Sequence, residues 1–283
     1  MRIASGILLA LVVTSSPAWA GHGSSSVAIQ SAIQSGSVDA IVAELEKAEE
    51  LPSPGAITAV LPLVDHASSR VRDAAGWWLT RRGVRAQVMA DMTARLAGSD
   101  PVAARNAGDV LAAMRDFSTV PALSQYLTHP LDEESGVAAA RAVGSIGHPS
   151  GLPALTGALG SPLAGVRAQA AASLRELRAT AGQKVAATTA PLLPLLADAD
   201  GNVRRQAATT IGFIGQSGGD VTGAVAALSP IATGDPAAVV RKAAAWALGE
   251  LKDGAARAAL AQAQNDADPL VRSIATAALA NLR

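Results

Sequence analysis

The chain has 283 residues, 23 Lys+Arg against 23 Asp+Glu, and no cysteine. A balanced charge supplies no basic field for nucleic acid or an anionic membrane, and the lack of thiols excludes a disulfide framework, a c-type haem attachment and thiolate zinc. Charged residues (16%) and aromatics (2%) are sparse, with alanine filling the difference, which suits closely spaced helices better than an aromatic ligand pocket.

Residues 1–20 read as a signal peptide. Met1-Arg2 is a short positive start, Ile3 to Val13 is almost wholly apolar, and Ala18-Trp19-Ala20 is a small-x-small cleavage signal. The apolar run is short for a bilayer, and no second run of about twenty apolar residues follows. The expectation is cleavage before Gly21, a periplasmic or secreted protein, and no membrane span once the signal is removed; an uncleaved anchor is the alternative. Residues 21–53 stand apart as a flexible start (Gly21 to Ser26) followed by one or two acidic helices over Val27 to Leu51, a segment suited to cap a stack.

From residue 54 to 283 a pattern Val-Arg-x-x-Ala-small-x-x-Leu recurs. Its starts fall at Val71, Ala103, Ser135, Val166, Val203, Val240 and Val271, separated by 32, 32, 31, 37, 37 and 31 residues. Periods of this size mark stacked helical units. With the start as position 0, position +4 is alanine in every copy (Ala75, Ala107, Ala139, Ala170, Ala207, Ala244, Ala275), and position +8 is Leu, Val or Ile throughout. Position +11 is apolar except at Arg82. At 100° per residue, positions 0, 4, 7, 8 and 11 form one stripe, the buried face of a helix. Position +5 is small, and Gly76 and Gly108 there imply close helix contact, since glycine inside a helix costs up to about 1 kcal/mol against alanine.

A second, looser helix precedes each of these: Ala56 to His66, Ala86 to Ala97, Pro121 to Leu127, Leu152 to Leu159, Pro191 to Leu196, Val221 to Ile231 and Ala255 to Gln264. Asp-, Ser- and Pro-containing turns divide the two, as caps should, and no segment alternates with period two. The fold class is therefore all-α, a superhelix of about seven helical hairpins. The two intervals of 37 place extra residues around Ala179-Thr180-Ala181-Gly182 and Gln216 to Asp220, on one edge of the stack one repeat apart, as tolerated insertions or as a lip for a partner.

The arginine at +1 (Arg72, Arg167, Arg204, Arg241, Arg272) opposes the helix dipole. Its recurrence calls for compensating acids, and the Asp-rich turns offer them: Asp200 and Asp268 lie four residues before Arg204 and Arg272. A structural Arg–Asp ladder between successive repeats is expected.

The fuller pattern Val-Arg-x-x-Ala-Ala-x-x-Leu/Ile-Gly, nearest over Asn202 to Gly215 and Val239 to Leu251, resembles the HEAT-repeat family, specifically its short phycobilisome-lyase type. The resemblance spans about residues 54–283 and implies a right-handed superhelix whose second helices line the concave surface. Its implication for function is weak, because such repeats serve enzymes, adaptors and chaperones alike. Deoxyhypusine hydroxylase, one enzyme built on similar repeats, holds iron through His-Glu dipeptides. None of His22, His66, His129 and His148 has a glutamate beside it or a partner at His-x-x-x-His spacing, so neither that activity nor a metal or other cofactor is carried over. Gly218-Gly219 lacks a phosphate loop's downstream Lys-Ser/Thr, and no nucleophile elbow is present.

Surface recognition remains. Positions +2, +6 and +9 are expected to face away from the buried stripe and line the concave side. Trp77, Arg105, Asp109 and Arg141 then form a protein-binding patch over three successive repeats, with Trp246 as a second anchor, Trp and Arg being typical of binding hot spots. Trp77 is either exposed or covered by the N-terminal segment, whereas Trp78, at +7, belongs to the core. At roughly 10 Å per repeat the two tryptophans stand about 50 Å apart, a span for a protein rather than for one small molecule. The sequence thus favours an exported, non-catalytic scaffold for an unidentified protein partner. The alternative is an assembly factor or lyase-like protein for a pigment or redox protein.

Overall fold

The structure is a computed structural model that describes residues 24–51, 53–177 and 188–282. Residues 1–20, read from the sequence as a signal peptide, and the insertion around Ala179-Thr180-Ala181-Gly182 lie outside the described residues.

Each repeat is a helical hairpin. The second helices carry the Val-Arg pattern: α4 (Ser69–Thr80), α6 (Pro101–Met114), α8 (Glu133–Ile146), α10 (Ala164–Leu174), α11 (Gly201–Gln216), α13 (Ala238–Leu251) and α15 (Pro269–Asn281). Their starts follow from cap chemistry. Asp100, Asp132, Asp200 and Asp268 sit at extended N-cap positions and accept first-turn amides. Pro101 and Pro269 occupy first-turn sites where no amide donor is needed.

The first helices are shorter: α3 (Pro54–Val60), α5 (Arg85–Leu96), α7 (Val120–Thr128), α9 (Leu152–Ala158), α12 (Ala224–Gly234) and α14 (Arg257–Ala263). In the fifth repeat the corresponding segment, Ala190–Ala197, winds as a 3-10 helix. Pro194 lies inside it; a proline there has no amide to donate and its ring crowds the preceding turn of an α-helix. Among the described residues there is no strand. Thr188 and Asp220 form one isolated bridge, and the Thr189 amide donates to the Asp220 carbonyl at 2.9 Å, so the long loop after α11 is fastened to the start of its own repeat's first helical segment.

The hydrophobic stripe packs continuously along the stack. All seven +4 alanines are fully buried, at 0% exposure. The close approach implied by Gly76 and Gly108 is present: a Cβ on Gly76 would lie 2.8 Å from the Val110 carbonyl oxygen, and one on Gly108 2.9 Å from the Ala138 carbonyl carbon. Position +9 departs from expectation. Gly144, Gly212 and Gly249 are buried rather than facing solvent, because the next repeat's helix presses its +7 residue (Ser173, Ala247, Ala278) onto them. Among the described residues no helix packs beyond α15, and its +5 residue, Thr276, is exposed.

The segment before residue 54 forms α1 (Ser26–Gln34) and α2 (Val38–Lys47), a further hairpin stacked on the first repeat, with α1 against α3 and α2 against α4. Ile41, Leu45 and Ala48, spaced as one helix face, are its buried contribution. Ser25 caps α1, accepting from the Ala28 amide at 3.1 Å, so the flexible stretch drawn through Ser26 extends too far. This hairpin also accounts for the exception at +11. The Arg82 guanidinium lies 3.9 Å over the buried Trp78 ring and donates to the Glu49 carbonyl at 2.6 Å, while the Trp78 indole donates to the Ala48 carbonyl at 2.9 Å.

Candidate functional site

The +1 arginines act as cross-braces. Arg167 donates from Nε and Nη2 to Asp198 (2.7 and 2.9 Å), Arg204 to Asp235 (2.6 and 3.1 Å), and Arg241 to Asp266 (2.6 and 2.8 Å). The third guanidinium nitrogen, Nη1, donates to two carbonyls of the arginine's own inter-helix turn, for Arg204 those of Asp198 and Ala199. The acid is the next repeat's residue at −5, not the one four residues before the arginine as the turn spacing suggested. Asp200 and Asp268 are occupied as helix caps, and the arginine stem reaches forward along the stack.

Hydrogen bonding from Arg167 holds Asp198 below the usual carboxylate range, and Arg241 does the same for Asp266. At Asp235 burial pushes upward, but its bonds from Arg204 and the Ala237 amide outweigh this and the pKa is lowered. Among the described residues no −5 aspartate faces Arg272; its Nη1 donates to the Asp266 and Ala267 carbonyls and the residue is exposed.

The first repeat explains the fate of the predicted patch. Position −5 of the second repeat is Gly98, which offers Arg72 no carboxylate. Arg72 instead pairs with Asp109, its Nε 2.9 Å from Oδ2. Asp109 was expected on the binding surface, but it is 3% exposed and also takes an ion pair from Arg141. Glycines 76 and 108 bring α4, α6 and α8 so close that the +6 carboxylate is enclosed between neighbours. It is a buried strut and not a contact residue.

Asp73 lies 3.6 Å from Arg141 and completes this network. One of its carboxylate oxygens is buried without a hydrogen-bond partner, and burial raises its pKa against the pull of Arg141. Arg105 is half-buried and reaches Glu134 of the next repeat at 2.8 Å.

Two grooves run along the face formed by the second helices. The N-terminal groove, of about 1150 Å³, is lined by Trp77, Asp73, Arg81 and Arg141 together with Val42 and Glu46 of α2. Trp77 is half-buried, with the Arg81 guanidinium 4.4 Å over its ring, so α2 borders it without covering it. The groove's charges are largely consumed internally: Arg81 pairs with Glu49 at 3.1 Å, Arg70 with Asp39 at 2.7 Å, and Arg141 with Asp109.

The C-terminal groove, of about 660 Å³, differs in kind. Trp246 and Phe213 meet at a ring-centroid distance of 5.1 Å and a tilt of 58°, and Val239, Leu270 and Ile274 extend the apolar wall. Phe213 is 38% exposed, Val239 54% and Leu270 60%, three of the chain's exposed large apolar side chains gathered in one place. Arg205 and Lys242 border it. Among the described residues neither forms an ion pair; Arg205 donates only to the Asn202 side chain, at 2.7 Å.

Trp246 was visible in the sequence as a +6 residue, whereas Phe213, Val239 and Leu270 were missed. Their signal was present: large apolar residues at −1 and +10 lie in an arc with +2, +3 and +6, well outside the buried stripe. Gly212 then sets the ring's position, since a Cβ there would stand 3.0 Å from Trp246 Cε3 and from the Ala247 Cα.

Stacked hairpins with a shared core, inter-repeat arginine braces and grooves along the second-helix face define a helical-repeat solenoid. A family model of HEAT repeats matches residues 89–175 and 189–280, and the chain belongs to the HEAT-repeat family. Among curated proteins no sequence matches significantly. Among solved structures, the Escherichia coli protein YibA is similar at 15% identity and TM-score 0.55, covering 90% of each chain. An engineered protein is similar at 20% identity and TM-score 0.49, over 80% of this chain and 97% of its own. Human deoxyhypusine hydroxylase in complex with glycerol is similar at 21% identity and TM-score 0.39, over 90% of this chain and 96% of its own. The likeness to YibA shows the fold alone. Among the described residues no three His, Asp or Glu side chains are grouped to hold a metal ion, and no helix is long and apolar enough to cross a membrane.

Proposed function

We propose that this protein is an exported, non-catalytic HEAT-repeat scaffold of the short phycobilisome-lyase type that binds another protein through its concave, second-helix face. The observation that carries the reading is the C-terminal groove, where Phe213, Val239 and Leu270 remain exposed around Trp246. Exposed apolar clusters with a polar rim are characteristic of recognition surfaces, and a central tryptophan is the residue type that most often dominates them. The patch originally centred on Trp77 becomes secondary, because Asp109 is enclosed and Arg141 is committed to it. Export rests on the sequence of residues 1–20.

The test compares partners recovered from the exported fraction with the wild-type protein, Trp246→Ala and Trp77→Ala. Trp246→Ala weakens the main partner by about 2 kcal/mol, roughly thirtyfold, and Trp77→Ala by less. Identical partner affinity for all three proteins refutes the site. A mature N-terminus other than Gly21 refutes the cleavage site, and retention in the cytoplasm refutes export. A stoichiometric chromophore in the absorbance spectrum of the native protein refutes the non-catalytic reading in favour of pigment handling.

A further inference from the structure

We infer that the C-terminal groove takes an acidic protein segment, one large apolar side chain flanked by carboxylates. This rests on the scaffold reading and names the chemistry of its partner. The groove combines an apolar floor of Trp246, Phe213 and Leu270 with two cations, Arg205 and Lys242, and has no acid among its lining residues.

Among the described residues, the other buried and half-buried arginines are answered from within. Arg167, Arg204 and Arg241 have their −5 aspartates, Arg72 has Asp109, and the N-terminal groove pairs Arg70, Arg81 and Arg141 internally. Arg205 and Lys242, among the described residues, lack such partners, although both are half-buried beside apolar groups. A cation held there gains most from a carboxylate brought by the ligand, because the same contact expels water from the apolar floor.

The register adds a spacing. Arg205 and Lys242 occupy the same +2 position on adjacent helices, so they stand about one helix-packing distance, roughly 10 Å, apart. An extended chain advances about 3.3 Å per residue. Side chains alternate faces along such a chain, so carboxylates four positions apart, about 13 Å, share one face with the residue midway between them. The two carboxylates then meet the two long, flexible cations, and the midway apolar residue meets Trp246 and Leu270.

The test uses the full mature chain and three synthetic peptides, read by fluorescence anisotropy. The first carries two glutamates four residues apart with a leucine or phenylalanine midway between them. The second has lysine in place of each glutamate, and the third keeps the glutamates but replaces the apolar residue with serine. The first binds at least about tenfold more tightly than either control, and Arg205→Glu/Lys242→Glu reverses the preference toward the lysine peptide, with circular dichroism unchanged. Binding of the first peptide also weakens as ionic strength rises from about 0.1 M to 1 M, where the screening length falls from about 10 Å to 3 Å.

Equal affinity for the glutamate and lysine peptides overturns the inference, as does equal affinity for the serine peptide. Tight binding to phosphatidylserine vesicles that the double reversal abolishes assigns the groove to a membrane surface and also overturns it. If no peptide binds while the recovered partner still depends on Trp246, this inference fails and the scaffold reading stands. If Trp246→Ala changes nothing anywhere, the scaffold site itself fails.

Discussion

Removing one carboxylate from the ladder tests the brace between repeats. In Asp235→Ala the Arg204 guanidinium loses two hydrogen bonds, of 2.6 and 3.1 Å, to a side chain only 2% exposed. The Ala237 amide also loses its 2.9 Å bond to the same carboxylate, a turn contact that a thermodynamic cycle with Arg204→Ala cancels. Charge-assisted bonds contribute about 1.5–3 kcal/mol each, and breaking a buried pair costs about 3–5 kcal/mol. Two features moderate this. Arg204 keeps its bonds to the Asp198 and Ala199 carbonyls, and its own side chain is 13% exposed, so some water reaches it. The expected loss is about 3 kcal/mol, at the low end of the buried-pair range.

The matched control is Asp268→Ala, which removes only cap bonds to the Leu270 and Val271 amides and costs about 1 kcal/mol. Urea unfolding followed by circular dichroism and tryptophan fluorescence measures both. Arg204→Ala and the double variant close a thermodynamic cycle, with a coupling energy above about 1 kcal/mol expected for residues in contact. Should Asp235→Ala cost no more than Asp268→Ala, or the two ladder substitutions simply add, the inter-repeat brace is not what holds the fifth and sixth repeats together.

Gly212→Ala brings opposing effects: a better helix former by up to about 1 kcal/mol, against a Cβ placed 3.0 Å from the Ala247 Cα. Backbone cannot move aside cheaply, so the variant is destabilised by about 1–3 kcal/mol and the Trp246 emission shifts; a gain in stability would contradict the packing. Asp198, Asp235 and Asp266 have lowered pKa values in the folded chain. Their contribution is therefore present above the ordinary carboxylate value of about 3.9 and is lost as pH falls through the lower folded values. Urea midpoints between about pH 6 and pH 2 should fall more steeply for the wild type than for the triple Asp→Asn variant, and parallel curves would refute this. Asp73, raised by burial, runs the other way: Asp73→Asn is neutral or stabilising at pH 7, and a marked loss in Tm would show that Asp73 is needed as an ion pair.

Much of the solenoid was legible in the chain, because a helical period is a local property. The +4 alanines, the +8 aliphatics and the Asp and Pro caps each report where a turn begins and which side of it must be dry, and the structure places them accordingly. The recurrence of arginine at +1 signalled bracing. Its partner was misassigned because side-chain reach across a stack is not a distance along the chain, and the −5 aspartates are read only once neighbouring hairpins are set side by side.

Surface membership was decided later still. Asp109 and Trp246 share position +6, yet one is enclosed and the other lines an open groove. The difference lies in what the adjacent repeats bring: Arg72 and Arg141 around the carboxylate, Gly212 and Phe213 around the indole. Periodicity within one helix dictates its buried stripe. Only the packing of three consecutive helices determines which of the remaining side chains water, or a partner, can reach.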